Sequence, residues 1–340
     1  MMAAFIDTGF NTVPENVIIE IFSFLPVRDL LRISRVCKKW RRLVYDKKLW
    51  VHVDLTPYSS VTSKVLWHLL RRHFNTGLRT LKLQGLLFSV QKNKEFLSKA
   101  LLSGLRKQCP NLEELSLTKT DLKGVSNYNE LPASLKTLEM ITCEIPSKFF
   151  SEPVGDHSSN SKNQSWPHLE ALVMKNVPAF SDSHLKSLTS QVKLKKLVLL
   201  GTYRVTNHGI EECAERLGEL EHLYMEGNTS VSTRVSSITD GFLHFVGRHM
   251  RKLRVLHLRK VMSMTDAGLS CLDQLTKLEQ LDIQGCFTFS PKALIAVCAS
   301  LPFLKKLNLN SVHLEGNDTM NQIQKSLPHC IVTNTNALPT

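Results

Sequence analysis

The sequence predicts an α/β protein that begins with a short three-helix unit. A right-handed solenoid follows, in which parallel strands line the concave side and helices line the outside. Two observations predict this fold. The pattern L-x-x-L-x-L, with conservative exchanges, occurs nine times, and five of the eight steps between copies span 23 to 26 residues. The first fifty residues instead carry apolar side chains at helical spacing, with prolines at the boundaries.

The N-terminal unit is predicted over residues 12–54, after a tail formed by residues 1–11. A first helix is predicted within residues 13–26 and a second from about residue 28 to residue 45. A third short element contains Leu49 and Trp50. A unit of about forty residues cannot bury so many large apolar groups by itself. Part of this surface must therefore meet another chain or the following repeats.

Each copy of the repeat predicts one short strand followed by a turn and a helix. In the copy that begins at Leu253, Leu256 and Leu258 point to one face of the strand and the residues between them to the other. Stacked units share a core that one unit cannot form alone. The repeats are predicted to fill residues 55–332, before a loose tail at 333–340. The copies begin at Leu78, Leu112, Leu135, Leu169, Leu194, Leu220, Leu253, Leu278 and Leu304.

Capping signals indicate where the outer helices begin. Ser290-Pro291 joins a capping side chain to a proline suited to the first helical position, and Thr265 and Thr206 occupy equivalent places. Two polar inserts, near residues 151–165 and 229–237, are predicted to be spacer loops. A final strand is predicted within residues 326–332. A residue after the strand can satisfy the backbone of the turn, a position taken by Cys143, Asn176, Asn228 and Cys286.

The positive charge is concentrated near the N-terminus. The whole chain has 43 Lys and Arg against 30 Asp and Glu, a net charge of +13. Residues 28–48 alone hold nine Lys and Arg against Asp29 and Asp46. Such a cluster can attract nucleic acid, an anionic membrane or an acidic protein. Trp40 falls on the apolar side of the predicted helix, where it is poorly placed to stack on bases, and this disfavours nucleic acid.

The sequence shows no pattern typical of a catalytic, metal or cofactor site. No nucleophile motif or phosphate-binding loop is evident. The eight cysteines form no C-x-x-C pair and no zinc spacing with histidines, so free buried thiols are predicted. Residues 1–12 lack the features of a signal peptide, and no apolar run reaches the ~18 residues of a spanning helix. An intracellular, soluble protein is therefore predicted.

The N-terminal residues resemble the F-box motif, whose usual Leu-Pro opening is Val13-Pro14 here. The repeats resemble the cysteine-containing class of leucine-rich repeats, in which a Thr/Ser-Asp-x-Gly-Leu segment follows the strand. The two resemblances cover nearly the whole chain, and together they are the architecture of substrate receptors in Skp–cullin–F-box ubiquitin ligases. The other matching F-box positions are Ile18, Ile21-Phe22, Leu25-Pro26, Asp29-Leu30, Val36-Cys37, Trp40, Leu43 and Leu49-Trp50.

The resemblance implies that the F-box docks on the acidic Skp adaptor, and through it reaches a cullin, a RING subunit and a ubiquitin-conjugating enzyme. A monomeric receptor in the cytoplasm and nucleus is expected. A basic stripe of Arg32, Arg35, Lys39 and Arg42 would speed docking. Carried over by position, the adaptor-binding residues are Pro14, Ile18, Ile21, Phe22, Leu25, Pro26, Leu30, Val36, Cys37, Trp40 and Leu43.

Protein substrates are expected on the concave wall, at positions that alternate with the strand leucines. Ubiquitin transfer would then depend on proximity, so no catalytic residue, metal or cofactor is expected in this chain. Two alternatives remain: a leucine-rich-repeat scaffold or inhibitor outside any ligase, and a basic nucleic-acid-binding protein. The expected substrate-binding residues are Lys196, Val198, His222, Tyr224, His257, Arg259, Gln280, Asp282, Lys306 and Asn308.

Overall fold

The computed structural model describes residues 12–59, 61–85, 96–151, 166, 168–227, 238–312 and 316–334. The predicted N-terminal tail, Asn228, the insert at 229–237, nearly all of the insert at 151–165 and the C-terminal residues from 335 onwards lie outside these described residues.

Three helices and one 3-10 helix form the N-terminal unit. They are α1 (Glu15–Ser23), α2 (Val27–Ile33), α3 (Lys38–Val44) and the 3-10 helix Lys47–Trp50. Pro14 and Pro26 directly precede α1 and α2. The 3-10 helix confirms the third short element that the sequence predicts around Leu49 and Trp50.

The prediction of one continuous helix over residues 28–45 is wrong, because the backbone turns between α2 and α3. The Ser34 hydroxyl donates to the Leu31 carbonyl at 2.7 Å in the last turn of α2. Cys37 has extended backbone, and its sulfur accepts the Trp40 N–H at 3.4 Å, which caps α3. As a consequence, the predicted basic stripe does not lie on a single helix.

Eleven parallel strands form one sheet in sequence order within the described residues. Nine of them, β2 to β10, coincide with the nine copies of the repeat. The last strand, β11, overlaps the range predicted for it but includes Thr333, which was predicted to belong to the loose tail. The first strand also joins this sheet, although its residues were predicted to belong to the N-terminal unit over 12–54 and not to the repeats. The strands are β1 (His52–Asp54), β2 (Thr80–Gln84), β3 (Glu114–Thr118), β4 (Thr137–Ile141), β5 (Ala171–Lys175), β6 (Lys196–Leu200), β7 (His222–Glu226), β8 (Val255–Arg259), β9 (Gln280–Asp282), β10 (Lys306–Asn308) and β11 (Ile331–Thr333).

The repeat helices pack against one face of this sheet. Helices are about 10 Å wide whereas strands are about 4.8 Å apart, so the solenoid curves with its strands on the concave side. Leu256 and Leu258 are fully buried, as the alternation predicts. The helices are α4 (Ser63–Arg72), α5 (Lys99–Gln108), α6 (Asp182–Thr189), α7 (Asn207–Cys213), α8 (Asp240–His249), α9 (Asp266–Ser270), α10 (Pro291–Ser300) and α11 (Gly316–Ser326), with 3-10 helices at Tyr128–Glu130 and Cys271–Gln274.

The predicted helix caps are confirmed, and so are two of the four predicted turn contacts, those of Cys143 and Cys286. The side chains of Ser290, Thr265 and Thr206 each accept a backbone N–H at the start of α10, α9 and α7. After their strands, the Cys143 thiol donates to the Leu117 carbonyl at 3.2 Å and the Cys286 thiol to the Leu258 carbonyl at 3.4 Å. These contacts join one repeat to the preceding one.

Candidate functional site

Helix α1 is apolar over roughly 160° of its circumference, which is more than its own unit covers. Ile18 and Phe22 point inward and are buried. Val17, Ile21 and Phe24 follow at positions i, i+4 and i+7 and form a neighbouring stripe with exposed fractions of 43%, 42% and 80%. We call these three residues the α1 stripe. It leaves a continuous apolar strip open to solvent on a helix whose other side is packed.

The structure divides the predicted adaptor-binding residues by exposure. The buried ones form the core under the surface, so they can support a binding face but cannot reach another chain. Val17 and Phe24 were missed from the sequence, although the helical spacing that includes Ile21 also includes them. The exposed residues are Pro14, Ile21, Pro26, Val36 and Cys37, the half-buried ones Leu25 and Trp40, and the buried ones Ile18, Phe22, Leu30 and Leu43.

The N-terminal unit and the first repeat share one core, so the α1 stripe has a fixed place relative to the sheet. The Trp50 indole N–H donates to the Val44 carbonyl at 2.7 Å. The Trp50 ring stacks on His73, which follows α4, with 4.2 Å between ring centroids, and Tyr45 stacks on the same imidazole at 5.0 Å. Burial lowers the pKa of His73 to about 4, so this ring is neutral at pH 7.

The predicted basic stripe is partly paired within the N-terminal unit. Arg32 forms an ion pair with Asp29 at 3.0 Å, and Arg42 pairs with Glu15. The Trp40 ring contacts Phe22 edge-on, with centroids 5.2 Å apart, in agreement with its predicted place on the apolar side. Residues 28–48 as a whole remain strongly basic, because they hold nine Lys and Arg against only two acids.

The ten predicted substrate-binding residues all lie on the concave wall. The sheet register aligns their side chains in two neighbouring rows that run across β6 to β10. Arg259 lies outside both rows, at the end of β8. The first row contains Lys196, His222, Val255, Gln280 and Lys306, and the second contains Val198, Tyr224, His257, Asp282 and Asn308.

Four of these residues form a contact network around Asp282, which is almost fully buried. Arg259 donates from Nε and Nη2 to Asp282 Oδ2, at 2.9 and 2.7 Å. His257 Nδ1 lies 3.5 Å from the same oxygen, and its ring lies 4.4 Å from that of Tyr224. Burial lowers the pKa of His257 and raises the pKa of Tyr224. The His257 ring is therefore neutral and the Tyr224 hydroxyl protonated at pH 7.

A second acid–base pair lies on β4 and β5, outside the strands that carry the predicted substrate-binding residues. Glu139 accepts from Lys175 Nζ at 3.0 Å and from the Ser116 hydroxyl at 2.9 Å. Burial acts to raise the pKa of Glu139, but these two hydrogen bonds and the charges of Lys175 and Lys82 together hold the pKa below its usual range. Val173, in the second row between this pair and Val198, is buried. The alternation that identified the residues on β6 to β10 applies equally to these strands.

The rim at the N-terminal ends of the strands carries one charged residue per repeat, alternating in sign. Backbone hydrogen bonds join each rim residue to the next. Ion pairs of 2.6 to 3.2 Å join several neighbours in the series. The rim is close to charge balance, so it does not supply the excess positive charge. In order, its residues are Arg79, Glu113, Lys136, Glu170, Lys195, Glu221, Arg254, Glu279 and Lys305.

The described residues offer little for nucleophilic or metal chemistry. Burial raises the pKa of the Cys109 and Cys298 thiols to about 12 and that of Cys143 and Cys286 to about 11, which leaves little thiolate at pH 7. No group of three or more His, Cys, Asp or Glu side chains in the part of the chain that the structure describes could hold a metal ion. None of the described helices combines the length and apolar character needed to cross a bilayer.

Known proteins resemble both parts of the chain. A family model described as F-box-like matches residues 10–56. F-box/LRR-repeat protein 12 from Homo sapiens is 40% identical over 323 residues, covering 94% of each chain, and that from Bos taurus is 39% identical over 327 residues, covering 95% of each. Among solved structures, internalin C2 from Listeria monocytogenes is 21% identical with a TM-score of 0.44, covering 70% of this chain and 84% of its own.

Proposed function

The chain belongs to the family of F-box/LRR-repeat protein 12, and on that premise we propose that it is the substrate-recognition subunit of a Skp–cullin–F-box ubiquitin ligase. The N-terminal unit docks on the Skp adaptor, and the concave wall holds a protein substrate near a ubiquitin-loaded conjugating enzyme. This proximity makes attack by a substrate lysine effectively intramolecular. The chain then acts without a catalytic residue of its own.

The α1 stripe is the observation that carries the docking part of this proposal. Three large apolar side chains in a row on an exposed helix face are typical of a surface that another protein covers. The excess of Lys and Arg in residues 28–48 favours an acidic partner and would speed its approach. We propose direct contact through the α1 stripe and through Pro14, Leu25, Pro26, Val36, Cys37 and Trp40, with Ile18, Phe22, Leu30 and Leu43 as the supporting core.

The docking test is co-expression of the full chain with the adaptor, followed by purification of the complex. We expect Ile21→Glu combined with Phe24→Ser to abolish a stoichiometric complex, because a charge and a polar group would replace the centre of the apolar contact. Phe303→Ser is the matched control, since Phe303 is 64% exposed just before β10, far along the solenoid. Copurification of the double variant with the adaptor at equal stoichiometry would contradict the proposal and favour a scaffold or inhibitor outside any ligase.

The adaptor would connect the receptor to a cullin, a RING subunit and the conjugating enzyme, with one receptor per complex in the cytoplasm and nucleus. A reconstituted ligase tests this step. Full chain, adaptor, cullin and RING subunit should transfer ubiquitin to a bound substrate, and the Ile21→Glu/Phe24→Ser variant should not. Equal transfer by both forms would contradict the proposed assembly.

A further inference from the structure

We propose that a recess in the rim, between β7 and β10, binds an acidic segment of a partner protein that carries a large apolar side chain. We call it the rim recess. It lies outside the α1 stripe and outside the two rows of the concave wall. Because it belongs to the repeats, the proposal does not depend on docking to an adaptor. One juxtaposition carries it: the exposed ring of Phe303 lies in the same recess as four bases and two acids.

The rim recess is formed by equivalent positions of three consecutive repeats. Lys252, Lys277 and Phe303 directly precede the last three copies of the pattern, so the stacking of repeats places them in a row beside the rim. The rim residues Arg254 and Lys305 also line the recess, whose volume is about 510 Å³. Typical ligand pockets have volumes of about 300–1,000 Å³. The recess can therefore take a large side chain of a partner.

Positive charge remains in the rim recess after its ion pairs are counted, although the rim as a whole is close to balance. Glu279 accepts from Arg254 Nε through Oε1 and from Lys305 Nζ through Oε2, each at 2.7 Å, so one acid serves two exposed bases. Lys277 is exposed and forms no ion pair with any residue in the part of the chain that the structure describes. Two positive charges therefore lack a counter-charge, one shared by Arg254 and Lys305 and one on Lys277.

The other charges of the rim recess lie on its β7 side. Lys252 pairs with Glu219 of the preceding repeat at 2.6 Å, and both side chains are about half exposed, so this ion pair stabilises little and leaves no excess charge. Glu221, the rim residue of the β7 repeat, is the second acid in the lining. An anionic ligand is therefore attracted to the part formed by the later repeats and repelled near Glu221.

Phe303 supplies the apolar contact of the rim recess. It is 64% exposed and follows Pro302, which is exposed as well. A ligand side chain that covers this ring removes apolar surface from water on both partners. A peptide carries its acids on separate side chains, so it can place them at Lys277 and Lys305 and avoid Glu221. The continuous phosphates of a nucleic acid would also approach Glu221, and this favours a protein ligand.

The test is selection of displayed random twelve-residue peptides on the purified full chain. We expect enrichment of sequences with at least two Asp or Glu close to a Phe, Trp, Leu or Met. A synthetic peptide of that consensus should bind at least tenfold more weakly when its acids are replaced by Asn and Gln. It should bind at least fivefold more weakly when its apolar residue is replaced by Ser. Enrichment of basic or uncharged sequences, failure to enrich any sequence, or absence of either effect would overturn the proposal.

Variants of the chain locate the peptide in the rim recess. Lys277→Glu and Phe303→Ser, both at exposed positions, should each weaken binding of the consensus peptide at least fivefold. Glu221→Gln should strengthen binding at least twofold, a gain that a misfolded variant cannot produce. Lys292→Glu, an equal charge reversal at an exposed position of the outer helix α10, should leave the affinity unchanged. Wild-type affinity in the first three variants, or an equal loss in Lys292→Glu, would overturn the proposal.

A twelve-nucleotide oligouridine tests the other class of ligand, because an exposed aromatic ring beside bases can also stack on a nucleobase. The oligonucleotide should bind at least tenfold more weakly than the consensus peptide at the same ionic strength. Tighter binding of the oligonucleotide that is lost in Phe303→Ser would overturn the proposal and assign the rim recess to nucleic acid.

Discussion

The carboxylate of Asp240 accepts two hydrogen bonds from Thr265 in the next repeat, one from the backbone N–H and one from the hydroxyl, each at 2.6 Å. Asp182 makes the same two contacts with Thr206, at 2.8 and 2.6 Å. Thr265 and Thr206 are the residues that cap α9 and α7. An acid of one repeat therefore positions the cap of the following helix, which couples neighbouring repeats on the outside of the solenoid.

Asp240→Ala should loosen the contact between α8 and α9. It removes two hydrogen bonds to a charged acceptor and leaves two donors of Thr265 unpaired, so we expect a loss of about 2 kcal/mol in local stability. Hydrogen exchange of the α9 and β9 amides should accelerate about thirtyfold. Asp273→Ala, which removes an acid whose described hydrogen bond goes only to the adjacent Gln274, is the control and should change little.

Gly268→Ala should be destabilising because the Asp240 carboxylate occupies the space of its Cβ. A Cβ on Gly268 would lie 2.2 Å from Asp240 Oδ1, whereas a Cβ on Gly241 would meet nothing closer than 3.4 Å. Gly241→Ala should therefore be neutral or stabilise α8 by up to about 1 kcal/mol. Thermal unfolding of the two variants checks this contrast, and equal melting temperatures would refute it.

His73→Phe should make the chain more stable, and most clearly at acidic pH. The Nδ1 atom of His73 is buried without a hydrogen-bond partner, and a phenylalanine ring can keep the stacking on Trp50 and Tyr45. The folded pKa of about 4 lies below the unfolded value of 6.5, so the unfolded state binds the proton first as pH falls. The wild type should therefore lose stability between about pH 6.5 and pH 4, by up to about 3 kcal/mol from this group.

Denaturant unfolding of wild type and His73→Phe at pH 7 and pH 4.5 measures that difference. The gap in unfolding free energy between the two proteins should widen at the lower pH. A gap that is constant with pH would show that His73 has the same pKa in the folded and the unfolded chain, and would contradict the prediction.

Arg259→Met should cost more stability than Arg254→Met, although both arginines pair with an acid on the next repeat. Asp282, the partner of Arg259, is 5% exposed, whereas Glu279, the partner of Arg254, is 20% exposed and also pairs with Lys305. Arg259→Met leaves a buried carboxylate without its cation, and we expect a loss of about 3 kcal/mol. Chemical unfolding of the two variants under identical conditions measures both losses in unfolding free energy. A larger loss for Arg254→Met would contradict the prediction.

Glu279→Lys should destabilise the chain in a salt-dependent way, because it replaces an acid of the alternating rim by a base. The hydrogen bonds from Lys305 and Arg254 lower the pKa of Glu279, so its contribution is present at neutral pH and is lost as pH falls through the folded pKa. The variant should lower the melting temperature at low ionic strength, with a smaller effect in about 0.5 M salt. Glu211→Lys on α7 is the control, and a deficit that persists in full at high salt would contradict this explanation.

The repeat period was sufficient to predict β2 to β10, and the caps at Thr206, Thr265 and Ser290 were predicted with it. These features depend on residues close together in the chain, so their spacing alone indicates them. The break between α2 and α3 was not predicted, because the apolar spacing from Leu30 to Val44 continues across it. Both helices keep this spacing since both belong to the same N-terminal core.

The sequence by itself determined that α1 carries more apolar surface than its own unit can cover and that alternate strand residues face the concave wall. Only the tertiary structure decided which part of that surface stays open, leaving Phe24 exposed and Phe22 under Trp40. It also decided that Lys175 pairs with Glu139 and Arg259 with Asp282. These partners are more than twenty residues apart in the chain, and they meet only because the stacking of repeats sets the register between strands.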